Sequence, residues 1–247
     1  MFDLVRPSSV VDLGCGTGAW LAAARGLGAG NILGIDGDWV PAESLLIPPG
    51  CFQGRDIAQP LGLEQRFDLA ICLEVAEHLD PSSADGLIEN LCALADVVLF
   101  SAAIPGQGGN GHINEQWPPY WRRRFGWYGF ELVDCLRSRL WTDEAIEPWY
   151  AQNALLYASS RRLAADARIR LAAAETGAMP LCAVHPQLFH WSSAPSVPPD
   201  PEPALKAKAP RHFAQAASRY FGWALCSMPD AGPRASNHRS FGDKDFT

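Results

Sequence analysis

A strand that runs straight into three alternate glycines constrains this chain more than any other feature. Val10-Val11-Asp12-Leu13 is apolar apart from its one acid, and Gly14-Cys15-Gly16-Thr17-Gly18 follows at once, ahead of an Ala/Leu-rich stretch from Ala19 to Leu27. Glycine lets the backbone turn tightly and lets a ligand approach the main chain with no Cβ in the way. In open α/β sheets ligands bind at the carboxyl ends of the strands, which is where Asp12 stands. The next apolar run, Asn31 to Ile35, ends in Asp36-Gly37. An acid at that strand tip can accept hydrogen bonds from both hydroxyls of a ribose. Strand, turn, helix and a second acid together point to a nucleoside-bearing ligand. The glycines read GxGxG, not the GxGxxG of a dinucleotide fingerprint, so a nicotinamide-dependent oxidoreductase is the weaker alternative.

The rest of the first 159 residues repeats this alternation. Short apolar runs at Phe67–Cys72 and Asp96–Phe100 are separated by Ser83 to Ala95, which is suited to a helix. Strands alternating with helices at this spacing mean βαβ units and a parallel sheet covered on both faces. Two later runs, Gly129–Asp134 and Ala154–Ala158, read as final strands, with an irregular segment from Arg137 to Asn153 between them. The expected domain spans 1–159. Residues 160–190 then hold a helix of good helix formers (Arg161 to Thr176) and a connector. Residues 191–247 are expected to be a linker with six prolines between Trp191 and Pro210, a short helix over 211–228 and a frayed tail from 229.

Composition narrows the function classes. Hydrophobic residues make up 48% of the 247, enough for a real core, so a wholly disordered chain is excluded. The net charge of −7 disfavours nucleic-acid binding, which needs clustered Lys and Arg on phosphates. No run of about 18 apolar residues suggests a membrane span. No basic and then apolar leader follows Met1, so a reducing, cytoplasmic setting is expected. The seven cysteines include no CxxC pair, and His185 and His190 have no Cys or Asp at ligand spacing, so no metal is expected.

The segments VVDLGCGTG, GID and FDLAICLEVAEHL, over roughly residues 8–159, resemble the class I S-adenosylmethionine-dependent methyltransferases, in a bacterial small-molecule or glycan type with an EVxEHL signature. The resemblance implies a Rossmann-like, doubly wound, seven-stranded and mostly parallel sheet with one antiparallel strand. It also implies the cofactor S-adenosylmethionine and the product S-adenosylhomocysteine. Asp12, Gly14, Cys15, Gly16 and Gly18 would hold the methionine part. Asp36 and Gly37 would meet the ribose. Asp56 would meet the adenine amino group, with Ile57 packed on the ring, and Leu73 and Glu74 would face the cofactor. The family often carries a lid before its first strand, and here that strand starts at about residue 8, so a lid must come from elsewhere; the late segment is a candidate.

After the fifth strand, Pro105 to Tyr120 leaves the same sheet edge, rich in glycine and then in polar groups. Loops there build substrate pockets. His112 is the candidate general base for a hydroxyl acceptor. Asn114, Glu115 and Gln116 are candidates to orient the acceptor, Trp117 and Tyr120 to wall the pocket, and His78 to touch substrate. For His112, His78 and Glu115 the alternative is a structural role in tying down the loops. Arg122-Arg123-Arg124 is either an anion contact or a solvated helix face. The tryptophans between 117 and 149 are core, with an aromatic pocket rim as the lesser reading. The expected activity is methyl transfer to a small molecule or glycan, at oxygen rather than nitrogen. A non-catalytic cofactor-binding or scaffold protein of the same fold is the alternative. The acceptor and the oligomeric state are not written in these residues.

Overall fold

Each apolar run takes its place in one sheet. The computed structural model describes residues 1–193. Seven strands, β1 (Ser9–Leu13), β2 (Asn31–Asp36), β3 (Phe52–Gly54), β4 (Leu69–Leu73), β5 (Val97–Ser101), β6 (Phe130–Val133) and β7 (Leu155–Ser159), stand in the order β3-β2-β1-β4-β5-β7-β6. β1 pairs in parallel with β2 and β4, β2 with β3, and β4 with β5. β7 runs antiparallel to both of its neighbours, β5 and β6. The chain is therefore an α/β, Rossmann-like, mostly parallel sheet with one antiparallel strand.

Strands of this kind read as continuous apolar runs because both faces are covered. Successive side chains feed two cores. Val10, Leu69, Ile71 and Leu99 face one. Val11, Leu13, Ala70, Cys72 and Val98 face the other. On the first face α2 (Ala19–Gly26) buries Trp20, Leu21 and Ala24, at the spacing of one helical stripe. On the second, α3 (Ala84–Leu94) buries Leu87, Ile88 and Leu91. Each fully buried Leu or Ile contributes about 1.5–3 kcal/mol. At the opposite edge from the glycine turn, Asp68 clasps the start of β1, accepting from Ser8 N (2.8 Å), Ser8 Oγ (2.6 Å) and Ser9 N (3.0 Å).

A four-residue helix, α1 (Phe2–Val5), precedes β1. After β5, α4 (Pro118–Trp127) starts on two prolines, which suit a first helical turn because their missing N–H has no partner to lose there. The segment expected to be irregular contains two short helices, α5 (Arg137–Leu140) and α6 (Pro148–Asn153). The single helix expected over Arg161 to Thr176 is instead two, α7 (Ser160–Ala165) and α8 (Ala167–Ala173). Asp166 divides them: its backbone is extended, and its carboxylate caps α8 at Arg168 N (3.0 Å). It also pairs with Arg162 and Arg168. α9 (Pro186–Ser193) ends three residues inside the expected proline-rich stretch. The remainder of that linker, the helix over 211–228 and the tail lie outside the described residues.

Candidate active site

The carboxyl ends of β1, β2, β4 and β5 carry the candidate residues side by side. Asp12 sits in β1 in register with Gly34 of β2 and Ile71 of β4, and is 1% exposed. Burial, and then the charge of Asp36, push its carboxyl well above the usual range, and its Oδ2 has no partner. The turn beyond it is built on left-handed backbone at Gly14 (φ 78°), Gly16 (φ 51°) and Gly18 (φ 80°). A Cβ on Gly14 would lie 2.5 Å from Val75 Cγ2, so the turn passes directly under the loop after β4. Asp36 fixes the turn, one oxygen accepting from Gly16 N and the other from Gly37 N, both at 2.7 Å. Cys15 is buried beside them, and burial raises its thiol.

Asp56 and Ile57 follow β3. Asp56 is exposed and accepts from Ala58 N at 2.9 Å, while Ile57 belongs to the second core. Leu73 ends β4, and Glu74 after it has φ 54°, a conformation that costs a non-glycine residue strain. Its N–H donates to Ser101 O (3.1 Å) and Ser101 Oγ (3.0 Å).

Across from the turn, the loop 105–117 is pinned by main-chain bonds from Ile113 N (2.8 Å) and Asn114 N (2.9 Å) to the carbonyl of Glu77. Glu115 accepts from Gly106 N and Gly108 N at 2.8 Å each and from His112 Nδ1 at 3.0 Å. It therefore both ties the loop and orients the His112 ring, leaving Nε2 free. These bonds and the His112 charge outweigh desolvation and hold the Glu115 carboxyl low. The His78 ring stands edge-on to His112, centroids 4.8 Å apart, with Nδ1 3.3 Å from Gly111 O. Asn114 is buried and turned inward, donating to Ala76 O (3.4 Å) and accepting from Gln116 (3.0 Å). Trp117 caps α4 and is partly exposed. Tyr120 is engaged by its own helix: it packs against Trp121 and lies 3.5 Å under the Arg124 guanidinium. Arg124 pairs with Asp85 at 2.7 Å, so it braces α4 against α3. Trp121 is core, packed on Phe100.

Four residues that the sequence did not single out, Gln107, Gln152, Asn153 and Glu77, gather around Glu74. Glu74 accepts from Gln107 and Asn153, both at 3.2 Å. Gln107 Oε1 accepts from Gln152 (3.0 Å) and Asn153 (2.9 Å), and Gln152 Oε1 accepts from His185 N (2.8 Å). Desolvation raises the Glu74 carboxyl despite these bonds. Glu77 is fully buried, and desolvation with the Glu74 charge pushes it up to about 9. Beside this network lies a cavity of about 300 Å³, lined by Ile104, Gln107, Gln152, Val184, Leu188 and Phe189 among others. Leu188 and Phe189 come from α9.

A sheet ordered 3-2-1-4-5-7-6, with its seventh strand reversed and a glycine turn after its first, defines the class I S-adenosylmethionine-dependent methyltransferase fold. The chain belongs to the methyltransferase-domain family, whose model matches residues 1–138. It is similar to the ribosomal protein L11 methyltransferase of Yersinia pseudotuberculosis, 32% identical over 104 residues, which is 41% of this chain and 31% of that protein. The Klebsiella pneumoniae protein of the same name is 31% identical over 103 residues, 41% of this chain and 31% of that one. The chain thus spans about a third of the length of the curated relatives it matches. Among solved structures it is similar to human N-acetylserotonin methyltransferase in complex with SAM (18% identity, 64% of this chain, 49% of that one, TM-score 0.44). It is also similar to an O-methyltransferase family protein from Burkholderia thailandensis (13% identity, 64% and 52%, TM-score 0.47).

Proposed function

We propose that the protein transfers a methyl group from S-adenosylmethionine to an oxygen of a small molecule or glycan. The observation that carries this reading is the turn Gly14–Gly18 closed by Asp36 at the sheet's carboxyl edge, with His112 on the facing loop. In it Asp12 and the turn hold the methionine part, Asp36 and Gly37 the ribose, Asp56 and Ile57 the adenine, and Leu73 and Glu74 the cofactor's reacting end. The sulfonium is a strong electrophile, so alignment of the acceptor supplies much of the rate. His112, oriented through Nδ1 by Glu115, has Nε2 available to take the hydroxyl proton, a contribution of roughly 10²–10⁴-fold. In this reading the acceptor sits between His112 and Gln107 of the same loop, and Gln107 lines the cavity of about 300 Å³, a size for a small ligand group. His78, Gln116 and Trp117 border that side, and α9 supplies the wall that a lid would otherwise give. The L11 methyltransferases act by name on a ribosomal protein, but their match covers a third of their length, so that acceptor is not carried over.

Calorimetry with S-adenosylmethionine and S-adenosylhomocysteine tests the reading. Both are expected to bind at one site per chain, and the nicotinamide dinucleotide is expected not to compete. Absence of binding by either sulfur cofactor refutes it, and binding without turnover on any acceptor favours the non-catalytic alternative.

A further inference from the structure

Glu77 has no function in the site as described so far, and its setting is unusual. Among the described residues it is the one side chain with both carboxylate oxygens buried and without a hydrogen-bond partner. The Glu74 carboxyl and the N–H groups of Glu77 and Ala103 lie near it, but none of them makes a well-formed bond to it. A buried carboxyl that is neither paired nor bound to a metal stays protonated, and a bound cation is what would let it ionise there. No Lys or Arg pairs with it among the described residues. What does lie beside it are two imidazoles: one ligand atom each from Glu77, His78 and His112 fall within 4.8 Å of one another.

The two rings are prepared in the same way. His112 Nδ1 faces the Glu115 carboxylate and His78 Nδ1 faces the Gly111 carbonyl. With the ring proton on Nδ1 facing these acceptors, the Nε2 lone pair of each ring is open to a ligand. An oxygen acceptor behind one ring nitrogen is how metal-binding histidines are oriented and made more basic. Ligands bound at about 2.0–2.1 Å stand about 3–4 Å apart, so the most distant pair of atoms must draw in by about 1–2 Å, within reach of side-chain rotation. His78 is exposed, which gives an ion a path in.

We propose that Glu77, His78 and His112 form a binding site for a first-row divalent transition-metal cation. Two imidazoles with a carboxylate suit Mn²⁺, Fe²⁺ or Zn²⁺ better than Ca²⁺ or Mg²⁺, which prefer oxygen alone. Three protein ligands leave coordination positions open for an acceptor oxygen. Its role in catalysis rests on the methyl-transfer reading. The cation-bound hydroxyl loses its proton to water, and its oxygen bonds to the methyl carbon. The carbon–sulfur bond breaks with its electron pair left on sulfur, giving the methyl ether, neutral S-adenosylhomocysteine and one released proton. His112 then serves as ligand in place of base.

The test is calorimetric titration of the full chain, stripped of metal, with MnCl₂, ZnCl₂ and CaCl₂. The expected result is one Mn²⁺ or Zn²⁺ per chain and at least tenfold weaker Ca²⁺. Glu77→Gln and His112→Ala should each weaken Mn²⁺ by about 10–100-fold, Glu115→Gln by about tenfold, and the exposed Glu144→Gln not at all. Glu77→Gln keeps the size and shape of this buried side chain and should melt at or above the metal-free wild type. Mn²⁺ should raise the melting temperature of the wild type and not of Glu77→Gln. No binding at millimolar Mn²⁺ or Zn²⁺, or undiminished binding in both variants, overturns the site. Cofactor calorimetry on the same metal-free sample keeps the two readings apart. Loss of cofactor binding there strikes the methyl-transfer proposal alone.

Discussion

Arg137 offers a sharp test of how the C-terminal segment is held against the sheet. It is fully buried, and its Nε donates to both oxygens of Asp134 at 3.1 Å. The rest of the guanidinium donates to three carbonyls: Leu181 (3.1 Å), Pro180 (3.2 Å) and Gln152 (3.5 Å). One side chain thus joins the end of β6 to α6 and to the stretch that leads into α9. Arg137→Met removes the cation and leaves Asp134, 5% exposed, charged with no partner. Breaking a buried pair in this way costs about 3–5 kcal/mol. That is a large share of the roughly 5–15 kcal/mol that holds a domain folded. At about 2–4 °C per kcal/mol for a chain of this size, the melting temperature should fall by about 6–20 °C. Replacing both partners, Asp134→Leu with Arg137→Met, removes the orphan charge and should regain at least half of the loss. The carbonyls of Pro180 and Leu181 remain without their donor in both variants. Limited proteolysis should therefore cut near residues 178–185 faster in the double variant than in the wild type, even where the melting temperature has recovered. Circular dichroism melts and urea titrations measure the first part. A fall of less than about 3 °C in the single variant, or a double variant no more stable than the single, would show that the pair is not what holds this segment.

Gly14→Ala combines a left-handed backbone at φ 78° with a Cβ 2.5 Å from Val75, and should cost about 2–5 kcal/mol in urea denaturation. Adding Val75→Ala should restore the steric part only; no recovery at all would place the clash elsewhere. Asp36→Asn keeps the shape but loses charge-assisted acceptance from Gly16 and Gly37, so cofactor affinity should drop by about 10–150-fold in calorimetry. Equal affinity would remove Asp36 from the site. For Asp68, desolvation is outweighed by the hydrogen bonds from Ser8 and Ser9, and its carboxyl sits below the usual value. A depressed carboxyl stabilises above the unfolded pKa of about 3.9, and that contribution disappears as pH falls through the folded value. Urea midpoints of wild type and Asp68→Asn should therefore differ at pH 6 and converge toward pH 3; a constant gap refutes the assignment.

What the sequence disclosed, and what it hid, follows from range and period. The glycine turn and Asp36 are legible because a positive φ and a strand-tip acid are demands placed on single residues. The parallel core is legible because doubly covered strands must be apolar throughout. The network around Glu74 is not: its partners lie 33 and 79 residues away, and no local pattern ties Gln107 or Asn153 to β4. Tyr120 stands beside the loop in sequence, but two prolines start a helix there, and its ring packs under Arg124, a contact that no local pattern announces. Between residues 160 and 176, summed helix propensity favours one helix. The Asp166 carboxylate instead caps a new one and pairs with arginines on both sides, and that local hydrogen bonding outweighs propensity. The burial of Glu77 was hidden for a different reason. A lone acid in EHL looks solvated until its burial is known.

The reversed seventh strand also sets a schedule for synthesis. Among the described residues β6 touches no strand but β7, and β7 is the last strand made. While the ribosome adds the 21 residues from Asp134 to Ala154, at about 5–20 residues per second, β6 waits about one to four seconds with neither edge paired. β5 waits longer with one edge open. Unpaired apolar edges are templates for pairing with other chains. The hazard ends only when Leu155–Ser159 slides between the two and closes both gaps in one event. A nascent chain that stalls before residue 155 should be the form most inclined to aggregate.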